Sequence, residues 1–475
     1  MSRSTKPETP TAREAEFVVS VEQECLTIVD GANDPLQLGR ALFRFLQVLA
    51  KLAPSLSCGA GIFNAYGRVY VDIGEHLEFA ALECESSYLL PLLVERQQVL
   101  AARALRQLWD EGLRLRLANN NHSGLLHGKT TTWGAHENYL VERRPAEFTE
   151  AVLPFLVTRL YAGSGGVRWP EAQFLAGVRP EFMELSSGGA TTDCRAIHST
   201  CREEHHMGPE PARFRYHQIL GDGHRSHFNL ALQLGATALA LKAILFDREL
   251  AAHLAGVRAK LGSASALELL RRFNLLAEPG EAPRADPLAM EVQQVYLEGA
   301  RRWAATLTAP PSWIARSLAD WQDTLDALRR ADRAWLSARL DAFAKYELFT
   351  IFLAERRLAW RDLSGQKEHF AALALLDHSY HEFASDESVF RWLEQAGALR
   401  HRVGPSIAPG HEPEPFVPET TTRARTRARF IRHNAATEGL SVDWSCVVDV
   451  ANRRRCDLYD PFATEYGPWR EYRLP

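Results

Sequence analysis

The segment Gly67–Glu78 combines the alternating pattern of a β-strand with side chains that can bind cations and move protons. Because side chains two residues apart on a strand share a face, Tyr70 and Asp72 lie together, opposite an apolar set. Aspartate is disfavoured in strands, and here a glycine and a second carboxylate, that of Glu78, follow it. We therefore expect this face to have a chemical role.

A second strand-like segment, Phe17–Leu26, carries Glu22 and Glu24 two residues apart and therefore on one face. Like charges on one face repel each other unless a cation or a donor lies between them. Taken alone, the pair is most simply explained as the solvent side of an edge strand. Taken with Tyr70 and Glu78, it supplies the oxygen ligands that magnesium accepts, and magnesium commonly bridges to phosphate. The combination favours a magnesium site.

The composition is that of a globular protein without a strong electrostatic preference. The chain has 475 residues, 46% of them hydrophobic, and a net charge of −4, so no attraction to nucleic acid or membrane is implied. The first 14 residues lack the apolar stretch of a secretory signal. The longest apolar run, Leu230–Phe246, is interrupted by Gln233 and Lys242 and predicts a buried helix. Seven scattered cysteines indicate a reducing cytoplasm.

The elements that must position these residues follow from the apolar spacing. Helical spacing is found over Leu36–Ala53 and over 86–117, and the chain is mostly helical from about 150 to 400. Short strands are expected near His136–Tyr139, Phe182–Leu185 and Tyr216–Leu220. The glycine-rich turns in that part lack the ending of a phosphate-binding P-loop. The predicted organisation is a disordered tail (1–15), a catalytic domain (16–402), a proline-rich linker (403–420) and a small C-terminal domain (421–475).

Two cysteines and three histidines within 13 residues form a competing candidate site. A zinc site would draw on Cys194, His198, Cys201 and His205, but the spacing matches no common zinc motif. In the alternative interpretation, the arginine and the last histidine of the segment reach one active site, where Arg202 binds phosphate and His206 binds a metal. A solvated start of a helix is the simplest explanation.

The C-terminal segment contains a run of arginines between Arg423 and Arg432. Nucleic-acid binding is disfavoured because the chain is net acidic and the run lacks interleaved aromatic residues. Two explanations fit the run better: the arginines face a nucleotide, or they form a helix face in water. No pattern typical of serine or cysteine hydrolases is present.

Several of these motifs, in order along the chain, resemble the Pup ligases and the related Pup deamidases (depupylases) of the glutamine-synthetase-like carboxylate–amine ligases. The matching blocks are Glu22-Gln23-Glu24, Arg68 to Phe79, Asn119–Asn121, His136-Glu137-Asn138-Tyr139, Arg202 with His206, Gly221-Asp222, Thr422-Arg423-Ala424 and Val442-Asp443-Trp444. The resemblance extends over nearly the whole chain and is closer to the ligase branch, since residues 31–66 leave little room for the insertion that the deamidases carry.

The resemblance implies an α+β fold, in which a curved antiparallel sheet cradles the nucleotide, helices pack behind it, and a small C-terminal domain follows. It implies that Glu22, Tyr70 and Glu78 hold magnesium and that Asp72 is the catalytic base. It further implies that Arg68 and Trp444 contact ATP. The expected partners are a Pup-like small protein modifier and protein substrates that offer a lysine, with no nucleic acid and no membrane.

The expected activity is ATP-dependent phosphorylation of a glutamate carboxylate of the modifier, followed by its joining to a lysine through an isopeptide bond. A deamidase or depupylase of the same fold would use Asp72 with water instead. Two departures from the family pattern, Leu77 in place of proline and Ala81 in place of threonine, motivate a divergent ligase for small amino acids or peptides. A catalytically silent, zinc-stabilised binding protein is a third alternative.

Overall fold

The computed structural model describes residues 16–30, 35–72, 74, 76–124, 131–200, 213–384, 386–404 and 420–472. The predicted tail (1–15) lies outside the described residues, as does most of the predicted linker. Within these ranges the chain forms 17 strands and 13 α-helices.

The described residues form strands of two to eleven residues. They are β1 Val19–Val29, β2 Ser55–Cys58, β3 Gly61–Asn64, β4 Gly67–Val71, β5 Leu77–Ala81, β6 Leu115–Ala118, β7 Ala135–Val141, β8 Gly166–Arg168, β9 Gln173–Leu175, β10 Leu185–Gly188, β11 Ala196–Ser199, β12 Phe214–Gln218, β13 Leu275–Ala277, β14 Leu440–Val442, β15 Cys446–Asp449, β16 Arg454–Asp457 and β17 Arg470–Glu471.

The helices dominate the middle of the chain, as the apolar spacing predicts. They are α1 Pro35–Leu52, α2 Leu90–Asp110, α3 Thr149–Val157, α4 His227–Phe246, α5 Arg248–Leu261, α6 Ala266–Asn274, α7 Pro287–Ala304, α8 Ser312–Arg330, α9 Arg333–Ser337, α10 Asp341–Glu355, α11 Lys367–His381, α12 Val389–Gln395 and α13 Arg423–Asn434. Short 3-10 helices cover Pro145–Phe148, Leu160–Ala162, Arg179–Phe182 and Trp360–Leu363.

Twelve of the strands form one sheet, in the order β12-β7-β1-β5-β4-β3-β2-β14-β15-β16-β17, with β6 also paired to β1. Its strand pairs are antiparallel except that of β14 with β2. Helices α1 and α2 pack against its central strands. The expected fold class, α+β with a large, mainly antiparallel sheet backed by helices, is confirmed.

The central strand β1 divides its side chains between the core and the candidate site. Val19, Val21 and Cys25 are buried in the main apolar core, whereas Glu22 and Glu24 point to the other face and are only partly buried. This alternation follows from the strand period of two. The prediction that Glu22 and Glu24 share one face of a strand is confirmed.

Helix α4 is apolar on all sides and lies inside the helical layer, in contact with α7 and α8. Its hydropathy and length would permit a membrane span, but 89% of the apolar window is buried within the protein. A helix that is hydrophobic all round belongs in a core. The predicted buried helix over Leu230–Phe246 is therefore confirmed.

Two local predictions were wrong, and one hairpin was not predicted. The segment from Gly67 to Glu78 is not one strand but the hairpin of β4 and β5, because Asp72 and Gly74 make a turn between them. The hairpin of β2 and β3 between α1 and β4 was not predicted, since its strands are only four residues long. The predicted helix over 86–117 ends at Asp110, and the residues after Gly112, which has φ of 87°, form β6.

Candidate active site

The hairpin of β4 and β5 places Tyr70 directly opposite Glu78, and β5 in turn places Glu78 opposite Glu24 of β1. The turn is closed by two hydrogen bonds between Asp72 and His76. The Asp72 amide donates to the His76 carbonyl at 3.0 Å, and the His76 amide donates to Asp72 Oδ1 at 2.8 Å. One carboxylate oxygen of Asp72 is thereby fixed by the backbone, and the other remains available for chemistry.

Glu24, Asp72 and Glu78 form a cluster in which one oxygen of each lies within 4.8 Å of the others. Glu24 is oriented by a hydrogen bond from the Gly134 amide. Gly134 is required there, since a Cβ at this position would lie 2.0 Å from His136 Nε2. Burial, and then the charges of Glu22 and Glu24, raise the pKa of the Glu78 carboxyl well above its usual range. The protonated form of Glu78 is thereby favoured in the free protein, and a bound cation would favour the ionised form instead.

A second cluster, which the sequence did not predict as a whole, joins Glu22 to two histidines. Glu22 Oε2 lies 3.5 Å from His136 Nδ1 and 3.6 Å from His217 Nε2. Glu22 Oε1 accepts hydrogen bonds from Arg215 Nη2 at 2.8 Å and from Asn138 Nδ2 at 3.2 Å. Although burial opposes ionisation, Arg215 and the two histidines hold the pKa of Glu22 well below its usual range.

The histidines come from the neighbouring strands β7 and β12. Burial, together with the charge of Arg215, lowers the pKa of His217 to about 3, so its ring is neutral and able to act as a ligand. His136 stands in the quoted His-Glu-Asn-Tyr motif and lies directly opposite Glu22 in the sheet. His217 had no such signal, because only the sheet register brings it to Glu22.

Tyr70 and Arg68 lie on the same face of β4, two residues apart. The Arg68 guanidinium lies over the Tyr70 ring at 4.1 Å and approaches Asp443 at 4.0 Å. Burial and the charge of Glu78, to which the phenol is hydrogen-bonded, raise the pKa of Tyr70, so the hydroxyl stays protonated. Within the described part of the chain, Arg68 Nε is buried without a hydrogen-bond partner.

A cleft of about 640 Å³ opens beside Glu22, between β1, β7 and β12 on one side and the C-terminal segment on the other. It is lined by Val18, Val19, Ser20, Glu22, Glu83, Asn138, Tyr139, Leu140, Arg215, Arg423, Trp444 and Pro461. Trp444 is held edge-on against Phe63, with ring centroids 4.9 Å apart. An apolar cleft with an indole and two guanidinium groups suits a base and its phosphates.

The C-terminal segment is fixed to this cleft by ion pairs that the sequence did not predict. Glu83, which follows β5, accepts a hydrogen bond from Arg423 Nε at 2.8 Å and a second from Arg427 Nη2. Against the effect of burial, these two guanidinium groups lower the pKa of Glu83 to about 2. Two members of the arginine run therefore lie in buried ion pairs, and neither belongs to a solvated helix face.

Arg179 is a further buried cation near the carboxylate cluster, and the sequence contains no signal for it. Its side chain donates to the Ile219 carbonyl at 3.2 Å and to Thr132 Oγ1 at 3.1 Å. Burial lowers its pKa to about 10 against the opposing effect of Glu24, so it stays charged at neutral pH. In the described ranges, no carboxylate lies within ion-pair distance of this guanidinium.

The candidate zinc cluster is only partly described, since Cys201 and His205 fall in the gap at 201–212, as do the predicted site residues Arg202 and His206. His198 is buried, with its ring nitrogens 3.0 Å from the Tyr216 hydroxyl and from the Pro145 carbonyl. Cys194 is exposed. Among the described residues, no group of three metal-ligating side chains includes either of them.

The residues present fit a magnesium ion. The cluster of Glu24, Asp72 and Glu78 offers only carboxylate oxygens, which are the hard ligands that magnesium prefers, and Tyr70 adds a hydroxyl beside Glu78. The group of Glu22, His136 and His217 mixes oxygen with imidazole nitrogen, a set with less preference for magnesium.

Three comparisons bear on this site. A family model described as "Pup-ligase protein" matches residues 4–448. The Pup–protein ligase of Micrococcus luteus is 32% identical over 417 residues, which cover 81% of this chain and 82% of that protein.

Two solved structures share the fold. A complex between the prokaryotic ubiquitin-like protein Pup and its ligase PafA matches with a TM-score of 0.71 at 23% identity, and covers 95% of this chain and 91% of that one. The Pup ligase PafA in complex with ADP matches with a TM-score of 0.65 at 24% identity and covers 92% of each chain.

Proposed function

This chain belongs to the Pup-ligase family, and on that premise we propose that it joins a Pup-like protein modifier to lysine side chains in an ATP-dependent reaction. The observation that carries the proposal is the cluster of Glu24, Asp72 and Glu78. Its Glu24 lies two residues along β1 from Glu22, and Glu22 lines the cleft that suits a nucleotide. The site thus combines cation ligands, a candidate base and a place for ATP.

In the first half-reaction, the side-chain carboxylate of the donor glutamate attacks the γ-phosphorus of ATP. A new phosphorus–oxygen bond forms, the bond to the bridging oxygen breaks, and ADP leaves with the electron pair. A bound magnesium ion would offset the negative charge on the phosphates. The residues proposed to hold it are Glu22, Glu24, Tyr70 and Glu78, with His206 as a further ligand.

The nucleotide is proposed to lie in the cleft, with its base against Trp444 and its phosphates toward the arginines. Arg68, on the face of β4 that also carries Tyr70, approaches the C-terminal segment through Asp443 and therefore faces the same region. Arg202 is proposed as a phosphate contact from the family resemblance. Guanidinium groups suit this task because their forked donors match phosphate oxygens.

In the second half-reaction, the lysine amine attacks the carbonyl carbon of the acyl phosphate. The carbon–nitrogen bond forms, the carbon–oxygen bond to phosphate breaks, and phosphate departs with the electron pair. Lysine is protonated near neutral pH, so the amine must lose a proton. The oxygen of Asp72 that the backbone does not bind is proposed to take it.

The expected partners are therefore a Pup-like modifier and lysine-bearing proteins, and we place the reaction in the cytoplasm. The seven cysteines are scattered along the chain. The six in the described ranges are free thiols, which suits a reducing compartment.

Replacement of the proposed base tests the mechanism. Asp72→Asn should keep nucleotide binding, measured by calorimetry, and should reduce isopeptide formation with a glutamate-ended Pup by at least 100-fold, measured by mass spectrometry. Asp30→Asn, an exposed aspartate at the end of β1, is the matched control. Full ligation by Asp72→Asn would overturn the assignment.

Incubation of the wild-type protein with a glutamine-ended Pup and with a conjugate distinguishes ligation from deamidation or depupylation.

A further inference from the structure

Trp133 is buried beside the candidate active site, although no step of the proposed reaction uses its side chain. Its side chain is 3% exposed, and its ring lies against the ring of His76, with the centroids 5.2 Å apart and the planes inclined by 35°. The next residue, Gly134, exchanges two hydrogen bonds with Glu24. Its amide donates to the Glu24 carboxylate, and its carbonyl accepts from the Glu24 amide at 3.0 Å. Trp133 therefore lies between the turn that holds Asp72 and the carboxylate cluster.

The Trp133 indole is itself held in place by the two asparagines that follow β6. Its Nε1 donates to the Asn120 carbonyl, and its backbone carbonyl accepts a hydrogen bond from Asn121 Nδ2 at 3.0 Å. Both asparagines are buried, and Asn121 Oδ1 in turn accepts a hydrogen bond from the Gly223 amide. The indole also packs against Leu26 of β1. A side chain that is bonded at its tip, bonded at its backbone and packed on its face offers a rigid surface to its neighbours.

His76 connects this rigid surface to Asp72. The two hydrogen bonds that close the turn, 3.0 Å and 2.8 Å long, both join Asp72 to the backbone of His76, so a displacement of His76 moves the Asp72 carboxylate. The two residues lie one position beyond the last pair of the β4–β5 ladder, Val71 opposite Leu77, and both are only half-buried. Such ends of elements fray readily. The contact between the His76 ring and Trp133 ties this end of the hairpin to the buried part of the site.

We propose that Trp133 is a positioning residue for Asp72 and that it acts through the ring of His76. The inference rests on the proposed ligase function, in which Asp72 takes the proton of the acceptor amine. A base must lie within hydrogen-bond reach of the proton that it takes. A displacement of about 1 Å can lower the rate of such a step by roughly 100-fold. Loss of the indole should therefore impair the step that needs a base and spare a step that does not.

Two nucleophiles distinguish these steps. Nα-acetyl-lysine carries an amine that is protonated near neutral pH, so its attack on the acyl phosphate needs the base. Hydroxylamine is a much weaker base and is largely unprotonated at neutral pH, so it attacks the acyl phosphate without help from Asp72. Each protein is incubated with ATP, magnesium, a glutamate-ended Pup and one of the two nucleophiles. The lysine conjugate and the hydroxamate are then quantified by mass spectrometry.

Trp133→Ala should lower the ratio of lysine conjugate to hydroxamate by roughly 10-fold or more. The matched control is Trp392→Ala, at a position 64% exposed on α12, which should leave the ratio unchanged. Trp133→Phe keeps an aromatic ring against His76 and should restore most of the ratio. His76→Ala removes the other ring of the contact and should lower the ratio as Trp133→Ala does. If Trp133 acts through His76, the double variant should fall no further than His76→Ala alone.

An unchanged ratio in Trp133→Ala and in His76→Ala would overturn the inference. An equal loss of both products in a folded Trp133→Ala protein would also overturn it, because the indole would then serve the carboxylate cluster through Gly134 and not the base. The thermal unfolding midpoint reports whether this variant is folded, and His76→Ala, at a half-buried position, decides alone if it is not. Absence of either product with the wild-type protein would instead refute the ligase function, and the inference with it.

Discussion

At the scale of single residues, the site is defined by charges that are incompletely balanced in the free protein. Glu24, Asp72 and Glu78 bring three carboxyl groups together, and Arg179 lies buried nearby, where its side chain donates to a carbonyl and a hydroxyl of the described residues. Such arrangements cost folding free energy and persist where a ligand completes them. A cation among the carboxylates and an anionic phosphoryl group beside Arg179 would balance both.

Replacement of Arg179 should therefore affect catalysis more than stability. Arg179→Met removes two hydrogen bonds from a charged donor to neutral acceptors, and it also removes the cost of burying that charge. The two effects oppose each other, so the free energy of unfolding should change by no more than about 1–2 kcal/mol. The rate of ADP formation in the presence of a Pup-like donor should fall by roughly 100-fold or more, as for the loss of one preorganised donor to a developing anion. Urea titration and an ADP-release assay measure the two quantities.

The outcome of Arg179→Lys separates a catalytic role from a structural one. Lysine keeps the charge but cannot reproduce the forked donors, so partial activity is expected. If Arg179→Met lost several kcal/mol of stability and kept its rate, the side chain would serve only to hold the chain near Ile219 and Thr132.

At the scale of elements, the position of each site residue depends on strand register. The sequence predicted that Glu22 and Glu24 share a face and that Tyr70 and Asp72 share another, because alternation is local and has a fixed period. It did not predict that Glu78 lies on the next strand, since the turn at Asp72 replaces a continuous strand. His217 and Arg179 could not be predicted, because they join the site only through sheet pairing and a 3-10 helix far along the chain.

The same limits apply to the C-terminal segment. The proline-rich segment before it and its arginines could be recognised in the sequence. The pairing of β14 with β2 could not, because it joins residues 384 positions apart, as the hydrogen bond from Ser441 to Ser57 shows. No local pattern specifies such a contact. Whether residues 421–475 behave as a separate domain stays a prediction.

The ion pairs of Glu83 with Arg423 and Arg427 should hold helix α13 in place. Glu83→Gln would leave two buried guanidinium groups without their carboxylate, and the loss of one member of a buried ion pair costs about 3–5 kcal/mol. Urea unfolding at neutral pH measures this cost. Glu438→Gln, an exposed glutamate of the same segment, should be neutral and serves as the control.

The pH dependence of stability gives a second signature of the same contact. The pKa of Glu83 is lowered to about 2 in the folded protein, so its contribution is complete above the ordinary glutamate pKa and is lost as pH falls toward 2. Between about pH 4.5 and 2, the wild-type protein should therefore lose more stability than Glu83→Gln. Parallel pH profiles for the two proteins would show that these ion pairs do not fix α13.

At the scale of the whole molecule, one sheet connects the carboxylate cluster to the C-terminal segment. The cleft for the nucleotide lies where that segment crosses the face of β1, β7 and β12, and its walls come from parts of the chain more than 200 residues apart. A ligand in the cleft would touch both walls at once. Binding should therefore couple the two parts energetically, although no residue of one wall need move relative to the other.

Hydrogen exchange would detect this coupling. With magnesium and a non-hydrolysable ATP analogue, backbone amides of β1 and β7 and those of α13 and β15 should exchange more slowly together, because a ligand that binds only the folded state suppresses opening on both walls. Helix α5, whose main contacts are with α3, α4 and α7, provides an internal reference. Trp444→Ala removes one face of the cleft, so it should weaken the protection of both walls in parallel as the affinity falls. Protection confined to β1 and β7 would show that the nucleotide does not contact the C-terminal segment, and would remove Trp444 and Arg423 from the proposed binding site.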